Sequence, residues 1–555
     1  MSPNAEPEPP AETMPLHEPR KNRSRLRVTA VLVSLLSTLF ISALNVTIVA
    51  TTIPTITADL HSAAGYSWVG GAFTLGNTAF LAVWAKLSDI WGRKPILLTL
   101  VALYFCSSIV CATSKSIGML IAGRALQGMT CGGITPLVMI TISDIFSMRQ
   151  RALYLGFLQA IWAVAGGVGP VLGGALTQYI SWRWIFWINL PVAGTSFILL
   201  LFFLDVHNPR TPFMEGIKAV DWFGSIAIIG ALSMPLLGLN FGGELFPWNS
   251  PRVIFLIVSG CAMLGIFVFS QARLSKYPLM PLKLFQRKSN VACVIIGFTQ
   301  LFGVQATEFY LPLFFQTIWE ASPTRSGVLI LPMTITESVT GIICGLIIHR
   351  TGRYIEIIRA GTVLFALGIG LHIDFSETSS LAEIAGIETI AGISAGMLFD
   401  PPLLALQAMV SQDDTATATA TFNLHQNIGS FMATVLGGVL FQNGMRMRTQ
   451  GLNNAGLPET VVEQLSGDAA AANVDVIKKI SDLTQKLVVK RAFASSLRYI
   501  WILAACLAAC GAFASLLISK QVLNTEHVET ETGQPPEDIQ QKNFTPPVVN
   551  IRDYG

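Results

Sequence analysis

Apolar stretches long enough to cross a membrane recur about fourteen times between residues 28 and 519, and that pattern excludes nearly every soluble architecture. They run 28–51, 66–87, 96–114, 118–142, 152–176, 184–204, 222–241, 252–271, 291–316, 326–348, 357–375, 383–410, 420–442 and 499–519. At 1.5 Å rise per residue, about twenty helical residues cross a hydrocarbon core roughly 30 Å thick. Lipid offers no partner to a free backbone N–H or C=O, so each stretch is expected to be a helix. The expected fold class is an all-α membrane protein of about fourteen transmembrane helices. Composition fits this: 52% of residues are hydrophobic and only 12% charged, which leaves no large soluble domain.

An even number of spans puts both termini on one side. Basic residues choose that side: Arg20, Lys21, Arg23, Arg25 and Arg27 precede the first span, and alternate short connections carry Lys86, Arg93, Lys94, Arg149 and Arg151. Later connections continue the bias with Arg273, Lys276, Lys283, Arg287, Lys288, Arg350, Arg353 and Arg359, which places all of these in the cytosol. Residues 443–498 resist the pattern, because they hold Arg446, Arg448, Lys478, Lys479, Lys486, Lys490 and Arg491 yet fall outside by span count.

The resulting organisation begins with a disordered cytosolic leader, 1–27, and a bundle of six helices, 28–204. A cytosolic linker with two extra helices follows, 205–271, then the helices of a second bundle, 272–442. A long extracellular loop, 443–498, the last helix, 499–519, and a disordered cytosolic tail, 520–555, complete it. Asn22 and Asn543 head sequon-like triplets that this topology leaves in the cytosol, unglycosylated. All eight cysteines fall in apolar spans, so neither a disulfide framework nor a metal site is expected. The chain lacks a Gly-x-x-x-x-Gly-Lys-Ser/Thr loop, so energy is expected from a gradient rather than from ATP, with no cofactor and no nucleic-acid partner.

Within the fourth stretch stands Arg124, followed one turn later by Gln127 and Gly128. A guanidinium does not give up its proton, so in lipid it needs a partner, a water-filled cavity or a ligand. An ionisable residue kept at such a place points to a transport pathway. The connection between the second and third spans reads Ala85-Lys-Leu-Ser-Asp-Ile-Trp-Gly-Arg-Lys94. Gly92 permits a tight turn there, Asp89 can pair with a neighbouring Arg, and Arg93 and Lys94 are expected at the cytosolic surface, a cluster able to latch helices in one conformation.

On these residues the chain resembles the major facilitator superfamily, whose cytosolic signature it matches at Leu87, Asp89, Gly92, Arg93 and Lys94 and departs from at Ala85 and Ile90. The resemblance implies two six-helix bundles, with the two extra helices between them, that alternate in access. It also implies a proton-coupling role for Arg124. The fifth span, with Gly169, Pro170, Gly173 and Gly174, looks like the antiporter signature of the same superfamily, although Ala165 stands where a further Gly is usual. Runs at Trp182–Pro191, Asp221–Gly224, Pro281–Phe285 and Tyr310–Gln316 are similar to those of fungal fourteen-helix drug:proton antiporters.

That branch usually carries an Asp where Asn45 stands, and often an Arg where Gln426 stands. Asn45 can orient a polar substrate but cannot carry a proton, so the coupling acid is expected elsewhere. Glu308, Glu337 and Asp400 are the candidates, with Glu308 and Asp400 favoured because both lie close to helix-breaking prolines. His425 could titrate near neutrality. Asn45, Gln127, Trp162, Phe309 and Gln316, with Tyr310 and Phe314, are the candidate lining of a substrate cavity. The expected function is export of hydrophobic or amphiphilic small molecules in exchange for protons, by a monomer whose partners are substrate, protons and the bilayer of the plasma or vacuolar membrane. The competing readings are an importer of a nutrient or iron-chelate and a non-transporting sensor.

Overall fold

Each of the fourteen apolar stretches lies on helix in the computed structural model, which describes residues 25–50, 52, 55–56, 59–60, 65–206, 212–242, 246–275, 278–411, 414–467, 470–471, 473–521 and 523. The leader before Arg25, both sequons and nearly all of the tail lie outside the described residues. Here α1 is Arg25–Ala50, α2 Gly65–Trp91, α3 Arg93–Ala112, α4 Ile117–Ile145, α5 Met148–Tyr179 and α6 Trp184–Phe203. Helices α7, Trp222–Phe241, and α8, Pro251–Phe269, form a hairpin. The second set is α9 Lys288–Ile318, α10 Leu331–Thr351, α11 Ile355–Leu371, α12 Leu381–Gln407, α13 Thr415–Asn454 and α14 Leu483–Ser515. Among the described residues the only extended pairing is an isolated bridge between Gly242 and Phe246.

Thirteen of these helices are both long and apolar enough to cross a membrane. The exception is α2, whose 27 residues suffice in length but include Thr74, Asn77, Thr78, Ser88 and Asp89. Its polar residues are tolerable because α2 packs tightly along α4. A side chain at Gly128 of α4 would overlap the backbone of Phe73, so glycine sets that close approach.

In the first bundle α1 packs on α5 and α6, α2 on α4, and α3 on α4 and α6. In the second, α9 packs on α13 and α14, α10 on α12, and α11 on α12 and α14. The α7–α8 hairpin lies against α2, where Trp68 and Phe241 meet with ring centroids 5.4 Å apart. The bundles meet along α5–α10 and α2–α13. Between them in sequence, the short helix Phe213–Ala219 sets Gly216 against the indole of Trp91.

Several sequence boundaries move. Helix begins at Arg25, inside the segment expected to be disordered. The stretch 326–348 divides into Pro323–Leu329 and α10, and 383–410 breaks around Asp400, where Pro401 and Pro402 cannot donate backbone hydrogen bonds. The largest correction concerns 443–498, which is not a loop. Helix α13 has 40 residues and α14 has 33, so they extend about 60 Å and 50 Å and project well past a hydrocarbon core of roughly 30 Å. Leu452, Leu457, Val462, Leu465, Ile477 and Phe493 are buried in this projecting part, which is a packed cap. Ion pairs fasten it: Lys490 and Lys486 lie 2.8 and 3.3 Å from Glu320, and Arg491 lies 2.6 Å from Glu377.

Candidate transport site

Arg124 sits a quarter of the way along α4, with 2% of its surface exposed, and its partners come from three helices. Nε donates to the Val69 carbonyl of α2 at 3.1 Å, and Nη1 donates to Gln127 Oε1 at 3.0 Å and to Asn45 Oδ1 of α1. The guanidinium also lies 4.4 Å from the ring centroid of Phe73. The amides continue the chain, since Asn45 Nδ2 donates to the Tyr104 hydroxyl at 2.8 Å and Gln127 Nε2 to Ser108 Oγ at 2.9 Å. Asn45, Gln127 and Arg124, read separately in the sequence, thus form one network. Tyr104 and Ser108, on α3, are members that sequence reading missed.

The acids lie in the other bundle. Glu308 is half-buried on α9, and Glu337 is buried on α10 near enough for the two carboxylates to repel one another. Asp400, at the break of α12, is buried with both oxygens lacking a hydrogen bond. Gln159 of α5 is its polar neighbour from the opposite bundle, but its Nε2 is also without a hydrogen-bond partner. A fourth acid was missed: Glu388 of α12 is wholly buried, and neither oxygen finds a partner among the described residues. His425 engages the Thr421 carbonyl of its own helix at 2.7 Å.

The bundles close on each other at the end that carries the basic connections. Gln407 Nε2 of α12 donates to Ser143 Oγ of α4 at 3.0 Å, and His349 Nδ1 of α10 lies 3.0 Å from the Arg149 carbonyl of α5. Leu81, Ala85 and Ile140 of the first bundle pack on Ala416, Ala420 and Leu424 of the second. Between them α5 and α10 almost touch: a Cβ at Gly345 would fall 2.5 Å from the Ala152 carbonyl oxygen, and one at Gly156 3.1 Å from that of Gly341. Gly341 and Gly345 carried no recognisable signature.

The latch residues cluster inside the first bundle. Gly92 has φ of 91°, the left-handed region that glycine tolerates, and turns α2 into α3. Arg93 is not at the surface as expected: it is 2% exposed, its Nε donates to Asp144 Oδ2 at 2.8 Å, and its Nη1 donates to Ser88 Oγ at 2.8 Å and to Asp89. Asp144, the acid that anchors it from α4, was not anticipated. Lys94 is half-buried and reaches the Leu201 carbonyl of α6 at 2.7 Å.

The other candidates are dispersed. Gly169 packs against α1, where a side chain would overlap the Thr47 hydroxyl; Gly173 is buried, and Gly174 has open space beside it. Helix α5 runs unbroken through Pro170, whose side chain lies outside the described ones. Trp162 is half-buried against the main core and Phe314 is within it. Tyr310 is buried too, its hydroxyl donating to the Thr434 carbonyl. Phe309 is exposed, and the Gln316 amide donates to Ser326 Oγ at 3.1 Å, which ties α9 to the next helix.

Comparison with known proteins follows the same lines. A family model described as Major Facilitator Superfamily matches residues 35–217 and 211–434. The chain is 41% identical over 506 residues to the efflux pump dotC of Dothistroma septosporum, covering 91% of this chain and 87% of that protein. It is 31% identical over 544 residues to the efflux pump FUS6 of Gibberella fujikuroi, covering 97% of each. The crystal structure of the human organic anion transporter MFSD10 (TETRAN) matches with a TM-score of 0.55 over 86% of this chain and 99% of that one, at 14% identity, a likeness of fold alone.

Proposed function

The chain belongs to the major facilitator superfamily and is a multi-pass membrane transporter, and from that premise we propose that it exports hydrophobic or amphiphilic small molecules in exchange for protons. Export is supported by relatives that are named efflux pumps and align along nearly the whole chain. Proton coupling rests on one observation above the others: Glu308 of α9 and Glu337 of α10 stand within electrostatic reach of each other in the membrane-spanning bundle. Two carboxylates so placed repel when both are ionised, so one proton shared between them relieves the repulsion. A pair that takes up a proton in one conformation and releases it in the other is what an antiporter requires. The partnerless carboxylates of Asp400 and Glu388 add to the acidic character of this bundle.

The basic connections mark the cytosolic side, so closure at that end corresponds to a transporter facing outward. The plasma membrane is the location we assign. The test is efflux of a panel of amphiphilic dyes from cells that express the full chain, with and without a protonophore. Outward movement that stops with the protonophore, and that Glu308→Gln slows at equal expression, is the expected result. Efflux indifferent to both overturns the coupling, and dye accumulation inside the cell overturns the direction.

A further inference from the structure

The first bundle holds a permanent positive charge, Arg124, to which no carboxylate among the described residues is bonded. Every group that Arg124 contacts is neutral: the Val69 carbonyl, the Asn45 and Gln127 amide oxygens, and the Phe73 ring. Among the described residues no carboxylate bonds to it, and Nη2 makes no hydrogen bond at all. The four acids described above lie on α9, α10 and α12, across the bundle boundary. Arg keeps its proton even when buried, so only dipoles offset this charge.

Those dipoles are all aligned one way. Asn45 and Gln127 turn their oxygens toward the guanidinium and their nitrogens away, to Tyr104 and Ser108. Both amide oxygens therefore accept from Arg124, that of Gln127 also from Cys111 Sγ at 3.6 Å, and the charged donor left over is the guanidinium's own Nη2. A cluster whose spare capacity is a charged donor recognises an anion.

Resting on the transporter reading above, we infer that the transported molecule presents an anionic group, a carboxylate or an acidic enolate or phenolate, to Arg124, and that Asn45 sets this preference by leaving the charge uncancelled. An Asp at position 45 would form an ion pair with Arg124 and remove the site's net charge. In a medium of low dielectric the same charge repels a cationic amphiphile of equal shape, so the site selects by sign as well as by size.

The test uses the purified full chain, binding fluorescein as the anionic probe and rhodamine 123 as a cationic xanthene of similar size, followed by uptake of both in proteoliposomes. Fluorescein is expected to bind about tenfold tighter than rhodamine 123, a conservative size for a close charge pair. Asn45→Asp is expected to erase that preference by weakening fluorescein alone. Arg124→Lys, which keeps the charge, retains part of the preference and Arg124→Gln none; an unchanged elution profile and thermal midpoint show that each variant is folded. Equal or tighter binding of rhodamine 123, or a preference that survives Asn45→Asp, overturns the inference. Carriage of the cation alone sinks the charge assignment and leaves the exporter reading standing, whereas movement of neither probe sinks both.

Discussion

Arg93 shows how one side chain can fix the junction of three helices. It is buried and bonded to Asp144, Asp89 and Ser88, so Arg93→Ala would strand two carboxylates beside the core. Breaking a buried pair in this way costs about 3–5 kcal/mol. A clear fall in the thermal midpoint of the detergent-solubilised protein is expected, with Arg93→Lys intermediate because an ammonium lacks the planar fork. An unchanged midpoint would mean that the cluster is dispensable. Asp89, Gly92 and Arg93 were legible in the sequence because they are adjacent. Asp144 was not, since it stands 51 residues from Arg93 and only folding joins them. Glu388 was illegible for a related reason: Glu383, in the same apolar stretch, forms an ordinary capping box with Ser380, and nothing in the letters separates that exposed acid from the buried one five residues later. Glu388→Gln removes a charge without changing shape. It is expected to leave the thermal midpoint unchanged or higher while flattening the pH dependence of transport.

Helices α5 and α10 make the contact that closes the basic end, and their approach depends on small residues. Gly345→Val would push Cγ atoms into the Ala152 carbonyl, and α10 must then move off α5. Deuterium uptake measured on the full protein is expected to rise in 148–156 and 341–351 and to stay unchanged where α2 packs on α4. Equal uptake throughout would show that this contact does not hold the state. The existence and order of all fourteen helices could be read from hydropathy, because lipid allows no alternative to an apolar helix. Their ends could not. Helices α13 and α14 continue past the membrane on residues chosen for packing within the cap, and hydropathy reports the loss of apolar solvent rather than the loss of helix.

At the scale of the whole molecule, the cap is tied to the transmembrane core by charge. A hydrogen bond from Lys490, with Lys486 beside it, holds the Glu320 carboxyl below the usual carboxylate range, and Arg491 does the same for Glu377. For a carboxylate depressed in the folded state, the added stability is present above its ordinary pKa, near 4.5, and is lost as pH falls through the lower folded value. Below about pH 4.5 the thermal midpoint is therefore expected to fall more steeply in the parent than in a Lys486→Ala/Lys490→Ala double variant, and parallel curves would remove the tether from the account. On the proposed function the halves beneath the cap divide the work: the first bundle carries Arg124 and its neutral network, the second the carboxylates proposed to exchange protons. That division is tested most directly by proton flux through the full chain in proteoliposomes with a pH-sensitive dye sealed inside, when an amphiphilic substrate is supplied on one side. Protons are expected to move opposite to the substrate, and Glu308→Gln/Glu337→Gln to abolish the proton movement while substrate still binds. Substrate movement without proton flux, or protons travelling in the same direction as the substrate, would contradict that division.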